Sequence, residues 1–510
     1  MQVVRHNRDW SSSHSFGMVM PGVILMGLAA TVALIALLAL DGDFDEYPYL
    51  FLLPWILGLG VLMAIPLAIL IYQRRFTFVN PLVYATLSYF IPAFVLGGFF
   101  FAGGWSQPTF LSFIQDVNYT LPLTIALVAL GFAGLAVGYL LPVGAKLGQA
   151  ISRRLPDANY SSESLIIPGI LLLLAGVFTT FLTLILGRFG FQNAVEINSY
   201  DGLVGLTTIF WVQGSFLLWL IIFRQNKWQF FFLPVITLLV VTSLGKFLLT
   251  GNRGSVIGIF LIVTFAFILS GRKFTFRQGA VAGCLLLVGM VAGMIYGTTF
   301  RNVKGNEDVQ SADEYAGNVV QTLDEVGRND VTEAVTFGIS SLTARIDILS
   351  TLAVVVSNHE QLEPYEEAYG LDHNIWTDLT TFWIPRVIWP DKPSASDARK
   401  YSDLYFNFTG ASYAITPIGD LLRNYGIVGI PIGMFFIGFL LRLTYSSLVE
   451  GQPAVAWRLT LYFMLVSSIS YEGFYGTIIP TFVKTGVMAV IGILIVNLVA
   501  RRIKFGLATA

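Results

Sequence analysis

Residues 121–141 read LPLTIALVALGFAGLAVGYLL, and this uncharged apolar stretch decides the fold. A helix needs about 20 apolar residues to cross the hydrocarbon layer while satisfying its own backbone hydrogen bonds. Similar runs recur along the chain, so we predict an all-α polytopic membrane protein with about 12 transmembrane helices. The predicted spans are Val19–Leu40, Leu50–Tyr72, Pro81–Phe101, Leu121–Leu141, Leu165–Leu186, Leu206–Phe223, Phe230–Leu249, Ser255–Leu269, Ala280–Phe300, Gly426–Leu441, Trp457–Tyr471 and Thr481–Ala500.

The composition excludes a water-soluble fold. Hydrophobic residues make up 55% of the 510 residues and charged residues only 12%, against about 25% charged residues in soluble chains. The formal net charge of -1 gives no indication of a nucleic-acid partner. The single cysteine, Cys284, rules out an internal disulfide, and no Cys/His spacing indicates a metal or haem site. We therefore expect no cofactor.

The basic residues predict the orientation, because short cytoplasmic loops retain Lys and Arg. Alternate connections, counted from the N-terminus, hold 17 of the 30 basic residues. This pattern places both termini in the cytoplasm. The segment Val335–Val356 is also apolar but carries Arg345 and Asp347 at its middle. Counting it as a span would put the basic C-terminus outside, so we predict a helix that packs on or dips into the outer surface.

The longest polar stretch lies between predicted spans nine and ten. The sequence thus divides into residues 1–300 with spans one to nine, an extracytoplasmic cap at 301–425, and residues 426–510 with the last three spans. Loops of this length usually bind or catalyse. We expect the function in the cap.

Four arginines stand near the expected outer surface: Arg253, Arg345, Arg386 and Arg423. A guanidinium binds phosphate through two parallel hydrogen bonds and stays charged. Several arginines converging at the interface would suit a lipid pyrophosphate. The alternative is that each one snorkels or pairs with a neighbouring carboxylate.

The segment from Trp383 to Pro393 contains three prolines in eleven residues, which exclude a regular helix through its length. Trp383 and Trp389 either anchor this segment among lipid headgroups or stack on a sugar ring. The sequence leaves both interpretations open.

Two carboxylates are candidates for a general base. Asp420 and Arg423 are spaced i and i+3, which places them on one helical face as a salt bridge or as a base beside a phosphate-binding cation. Glu472, near the outer end of the eleventh predicted span, is the second candidate because a carboxylate there is costly without a role. His359 and His373 are weaker candidates.

Four segments in this order resemble the oligosaccharide repeat-unit polymerases, the O-antigen polymerase or Wzy type. They are RGS at 253–255, SLTARID at 341–347, IPRVIWPDKP at 384–393 and GDLLRNYG at 419–426. The resemblance implies a metal-independent, GT-C-like glycosyltransferase in the bacterial inner membrane. Its active site would face the periplasm and polymerise undecaprenyl-pyrophosphate-linked repeat units, with membrane lipid and a chain-length regulator as partners.

The resemblance also assigns roles to residues. Arg253, Arg345, Arg386, Arg423 and Lys392 would bind the pyrophosphate. The four arginines would stabilise the leaving group, with Arg345 and Arg423 as catalytic residues, and Asp420 would orient or deprotonate the acceptor hydroxyl. Apart from the resemblance, Trp383, Trp389 and Glu472 are candidates for sugar contact. The alternatives are a ligase that transfers finished glycan to another acceptor, and a lipid-linked oligosaccharide flippase or transporter.

Overall fold

The computed structural model describes residues 48–106, 108–156, 161, 163–185, 201–225, 230, 232–250, 253–272, 275–304, 312–328, 331–393, 396–408 and 412–508. Helices make up 82% of the structure, and these residues contain no strand. The all-α prediction is therefore confirmed.

The described residues form eighteen helices, numbered here in chain order. They are α1 Leu53–Tyr72, α2 Pro81–Ala102, α3 Val117–Leu140, α4 Pro142–Ser152, α5 Ile166–Ile185, α6 Asp201–Thr207, α7 Ile209–Arg224, α8 Phe232–Thr250, α9 Arg253–Leu269, α10 Phe276–Lys304, α11 Ala312–Arg328, α12 Val331–Ile346, α13 Leu349–Tyr369, α14 Asn374–Thr381, α15 Ala398–Phe406, α16 Thr416–Leu448, α17 Ala456–Ser467 and α18 Tyr475–Ala508. The middle of α2, Thr86–Leu96, is π-helical.

Ten helical stretches among the described residues are long and apolar enough to cross a membrane. This is the architecture of a polytopic membrane protein. Nine of them correspond to predicted spans. The predicted run Val19–Leu40 lies outside the described residues, and the runs Ser255–Leu269 and Trp457–Tyr471 fall in the shorter helices α9 and α17.

The tenth stretch is Val335–Tyr369, which the charge pattern had assigned to the outer surface rather than to a span. It consists of α12 and α13, which meet at Asp347. This carboxylate is buried and accepts hydrogen bonds from Ser106 Oγ at 2.8 Å and Ser350 Oγ at 2.7 Å. The Ser350 N–H also donates to it at 3.1 Å, so Asp347 caps the start of α13. These hydrogen bonds lower the free-energy cost of burying the Asp347 carboxylate within an apolar stretch.

The chain forms two compact units. The first comprises residues 1–152, 346–357 and 425–452. Within it α3 and the second half of α16 pack backbone to backbone at glycines: a Cβ built on Gly138 would lie 2.1 Å from the carbonyl oxygen of Phe435. Small residues allow this close approach in membrane helices.

The second unit comprises residues 153–345, 358–424 and 453–510. Helices α5 and α7 make its most extensive contact. A Cβ on Gly176 would lie 2.0 Å from the Trp211 nitrogen, and one on Gly214 would lie 2.6 Å from the Leu173 nitrogen. Helix α14 packs against α18, and this contact positions the polar residues described next.

Candidate functional site

Arg423, in the first turns of α16, is the centre of a buried ion-pair cluster. Its Nη1 lies 2.6 Å from Glu366 Oε1 on α13, and its Nη2 lies 3.2 Å from Asp420 Oδ1. The side chains of Arg423 and Asp420 have no exposed surface. The i, i+3 spacing thus produces a salt bridge inside the protein, with a second carboxylate that comes from a distant stretch of sequence.

Asp420 is fully occupied by donors. Besides Arg423, its carboxylate accepts from Asn374 Nδ2 at 3.1 Å, the Gly476 N–H at 3.2 Å and Asn424 Nδ2 at 3.3 Å. These donors belong to α14, α16 and α18. A general base must reach the proton that it abstracts, and Asp420 has no open face toward a substrate. Its geometry is that of a residue that joins three helices.

Tyr405, on α15, completes the cluster. Its hydroxyl donates to Glu366 Oε1 at 2.7 Å. Burial, reinforced by the charge of Glu366, raises the pKa of Tyr405. The phenol therefore stays protonated and acts as a donor.

An open cleft of about 250 Å³ lies beside this cluster in the same unit. Arg345 and Glu472 form an ion pair at its wall, and both side chains are nearly half exposed. The rest of the lining combines hydroxyl groups, aromatic rings and small residues: Ala398, Ser412, Tyr413, Ala414, Ile415, Ser470, Gly473 and Phe474. The cleft thus offers a cation, a carboxylate and ring faces to a polar ligand.

The loop that carries Glu472 is held on both sides by the first residues of α16. The Thr416 N–H donates to the Glu472 carbonyl at 3.4 Å, and the Gly476 N–H donates to Asp420. Thr416 has a φ of +64°, a conformation that is strained for a β-branched residue. The buried cluster therefore fixes the backbone that presents Glu472 to the cleft.

A second polar group surrounds Asp378 on α14. Ser396 Oγ donates a hydrogen bond to Asp378, and Asn374 Nδ2 donates to Ser396 Oγ at 3.0 Å. Burial raises the pKa of Asp378, and the charge of Asp420 acts in the same direction, whereas those of Lys392 and Lys484 oppose it. Asp378 is thus in electrostatic contact with two lysines and is linked through Asn374 to the buried cluster.

Lys392 is surrounded by more positive than negative charge. Burial lowers its pKa, the neighbouring cations Lys484 and Arg386 lower it further, and Asp378 raises it. Its Nζ also donates to the Ile384 carbonyl at 3.2 Å, and Arg386 Nη1 lies 3.4 Å from the Pro390 carbonyl. We call Arg386, Lys392 and Lys484 the cation cluster. Lys392 and Lys484 interact electrostatically with Asp378, and Arg386 adds a third positive charge near both lysines. Asp391 precedes Lys392 in the chain, so three cations stand against two carboxylates, and the remaining positive charge suits an anion.

Lys484 stands at one end of an uncharged stretch of α18. Residues 485–500 carry no charge, and Arg501 and Arg502 follow them. These 16 residues span about 24 Å as a helix, which is about 6 Å less than a hydrocarbon core of roughly 30 Å. A lysine side chain covers such a difference by snorkelling, so this length places the ammonium group of Lys484 near the headgroups of the membrane face opposite Arg501.

The structure thus distributes the predicted residues over three neighbouring groups of one unit. Arg423 and Asp420 lie in the buried cluster, Arg345 and Glu472 at the cleft, and Arg386 and Lys392 in the cation cluster. Arg253 begins α9, and its side chain lies outside the described part of the structure.

The two tryptophans do not line the cleft. Trp383 is 66% exposed and contacts the Phe382 ring at a tilt of 33°, with ring centroids 3.8 Å apart, and Trp389 is 37% exposed. His373 precedes α14 in the left-handed conformation.

Sequence reasoning did not select Asp378 or Lys484. Asp378 lies in an ordinary polar helix, and only the tertiary contact of α14 with α18 reveals its neighbours. Lys484 did carry a signal, since a lone lysine ends an uncharged run whose other end is Arg501.

The fold and these polar groups define a polytopic membrane protein with a solvent-accessible cleft. Residues 155–450, more than half of the chain, match the family described as a domain of unknown function, DUF8712. The chain belongs to this family. No curated protein and no solved structure shows significant similarity to it.

Proposed function

We propose that this protein is a membrane glycosyltransferase that polymerises undecaprenyl-pyrophosphate-linked oligosaccharide repeat units at the extracytoplasmic face of a bacterial inner membrane. The observation that carries the proposal is the cation cluster: Lys392 and Lys484 interact electrostatically with Asp378, Arg386 adds a third positive charge near both lysines, and Lys484 ends the uncharged stretch of α18. A lipid pyrophosphate places its charge at this level while its tail remains in the bilayer.

The cation cluster would bind the pyrophosphate of the donor. As the bond between the anomeric carbon and the pyrophosphate oxygen breaks, negative charge develops on that oxygen. Fixed cations stabilise such charge in the transition state. The carrier lipid then leaves as its pyrophosphate.

The cleft would hold the terminal sugar of the acceptor. Its hydroxyl oxygen forms the new bond to the anomeric carbon, and its proton passes to a carboxylate. Glu472 fits this role better than Asp420, because Glu472 is exposed in the cleft whereas Asp420 is buried and hydrogen-bonded. Arg345 pairs with Glu472 and would orient its carboxylate.

In this scheme the buried cluster has a positioning role. Arg423, Glu366 and Asp420 hold α13, α14 and α16 together and fix the loop of Glu472. Arg423 would thus support the reaction without contacting the pyrophosphate.

The proposal is tested on the surface glycan of cells in which the chain is replaced by single variants. We expect Lys392→Ala and Lys484→Ala to reduce long chains about tenfold or more, the cost of losing one charge-assisted hydrogen bond, and to leave single-repeat products. Glu472→Gln should do the same while the protein accumulates normally. Lys400→Ala is the control, since Lys400 is exposed on α15.

Gel electrophoresis of the glycan from the same cells distinguishes the alternatives. Long chains that remain on the carrier lipid would identify a ligase, and repeat units that remain inside the cell would identify a flippase. Normal ladders from folded Lys392, Lys484 and Glu472 variants would disprove the assignment of these residues.

A further inference from the structure

The segment Phe382–Lys392 presents an unusual set of exposed apolar side chains. Trp383 is 66% exposed and Ile388 is 75% exposed, and Ile384, Val387 and Trp389 are each more than a third exposed. Single exposed hydrophobic residues are normal, but a contiguous group indicates an interaction surface.

The backbone of this segment is ordered by its own hydrogen bonds. The Ile388 N–H donates to the Pro385 carbonyl at 2.9 Å, and the Lys392 N–H donates to the Trp389 carbonyl at 3.2 Å. Pro385 and Pro390 restrict φ further. The side chains are therefore held outward by a rigid series of turns.

The segment carries two cations, Arg386 and Lys392, and one carboxylate, Asp391, and its net positive charge points to an anionic partner. Arg386 and Lys392 bond only weakly to carbonyls of the same segment and lie near Lys484. A surface that combines tryptophan, aliphatic residues and cations is suited to the headgroup layer of a bilayer. Amphipathic indole rings prefer this layer, and its phosphates carry negative charge that attracts cations.

The position of the segment in the fold agrees with this partner. The segment directly follows α14, which packs on α18, and its Lys392 lies near Lys484 at the end of the uncharged stretch 485–500. The segment thus lies at the depth where a headgroup layer meets α18.

We propose that Phe382–Lys392 is a membrane-docking element that inserts Trp383, Ile388 and Trp389 into the lipid headgroup layer. The inserted side chains would keep the cation cluster in contact with lipid phosphates. The proposal is independent of glycosyl transfer, because it concerns only the depth of the segment in the bilayer.

The test measures that depth with a nitroxide label. In a Cys284→Ala background, which removes the only native thiol, Ile388→Cys and Trp383→Cys are labelled in nanodiscs of phosphatidylcholine and phosphatidylglycerol. Glu367→Cys is the matched control, because Glu367 is exposed and belongs to the same unit. We expect a severalfold higher ratio of oxygen to nickel-chelate accessibility at 383 and 388 than at 367.

A second measurement leaves the apolar surface largely intact. Trp383→Phe and Trp389→Phe are compared with the wild type in nanodiscs that contain lipids brominated near the headgroup. If Trp383 and Trp389 lie in the headgroup layer, bromine should quench a larger fraction of the fluorescence in the wild type than in either variant. Nickel accessibility at 383 and 388 equal to that at 367, or fluorescence that bromine does not quench, would overturn the proposal and favour a protein partner on this surface.

Discussion

Arg423 has two carboxylate partners and no exposed surface. Breaking a buried pair by removing one partner is far more costly than removing an exposed pair, because the remaining charges lose compensation without regaining water. Arg423→Ala would leave both Glu366 and Asp420 buried and unpaired.

We therefore predict that Arg423→Ala destabilises the protein by about 3–5 kcal/mol. Thermal unfolding of the purified protein in detergent, followed by size-exclusion chromatography, measures the change. The control is Arg328→Ala, whose pair with Asp324 is mostly exposed and should contribute little. Equal melting temperatures for Arg423→Ala and Arg328→Ala would contradict the buried role.

The lowered pKa of Lys392 gives the cation cluster a pH dependence. As the pH rises above neutral, Lys392 loses its proton before a free lysine would, so the affinity for an anion should fall early. The unfolded chain keeps that proton longer, so this group makes stability rise with pH in the same range. A bound anion favours the charged form and reverses the shift.

We predict that binding of farnesyl pyrophosphate to the protein in nanodiscs weakens at pH values below the ordinary lysine pKa of about 10.4, because the pKa of Lys392 is lowered. Lys392→Arg should extend binding to higher pH, because a guanidinium stays protonated. Calorimetric titrations across this range measure the effect, and Lys400→Arg serves as the comparison. Identical pH profiles for Lys392→Arg and the wild type would remove Lys392 from the site.

At the scale of elements, the contact between α14 and the start of α18 depends on Gly476. A Cβ there would lie 3.0 Å from Asp378 Oδ2 and 3.0 Å from Ile375 Cα. Three residues earlier, a Cβ on Gly473 would meet nothing closer than 3.8 Å. The two glycines differ in packing although they belong to one short stretch.

We predict that Gly476→Ala costs about 1–3 kcal/mol through overpacking, which exceeds the gain of roughly 1 kcal/mol that alanine brings to a helix. Gly473→Ala should be tolerated. The measurement is the unfolding midpoint of each variant under the same conditions, and we expect a lower midpoint for Gly476→Ala than for Gly473→Ala. A fully stable Gly476→Ala protein would show that α14 and α18 are less closely packed than described.

The sequence predicted the long helices well, because a bilayer forces each spanning segment to be both apolar and helical. Span edges were less certain where a helix continues past the apolar run, as in α10, which ends at Lys304 rather than at the predicted Phe300. In α16 the predicted start, Gly426, coincides with a kink at which the backbone has a φ of +65°. The stretch Val335–Tyr369 has the length and apolarity of a span, whereas the charge pattern predicted a helix on or dipping into the outer surface for Val335–Val356. Asp347 finds its hydroxyl partners in tertiary structure, which a charge count does not detect.

For the candidate site, only local relations were predictable. The pairing of Asp420 with Arg423 follows from helical spacing, whereas Glu366 and Asn374 come from 46 to 57 residues away. Burial of Asp420 results from these distant partners. Glu472 could be selected from sequence because a carboxylate at the end of an apolar run is costly.

At the scale of the whole molecule, the groups of the proposed function lie around the first ten residues of α18 and the loop before it. The cluster that includes Lys484 and the cleft that includes Glu472 both belong to the second unit, as do α14 and the loop before α18. One compact unit therefore carries every group that the proposed transfer requires among the described residues.

The uncharged stretch of α18 has a further consequence for the choice of membrane. Its length of about 24 Å falls short of a typical hydrocarbon thickness of roughly 30 Å, and such hydrophobic mismatch is relieved by local thinning. Short acyl chains should therefore suit this protein better than long ones. The test is the thermal stability of the protein after reconstitution in lipids of graded acyl-chain length. Greatest stability in the shorter chains would support this prediction, and greatest stability in the longer chains would refute it.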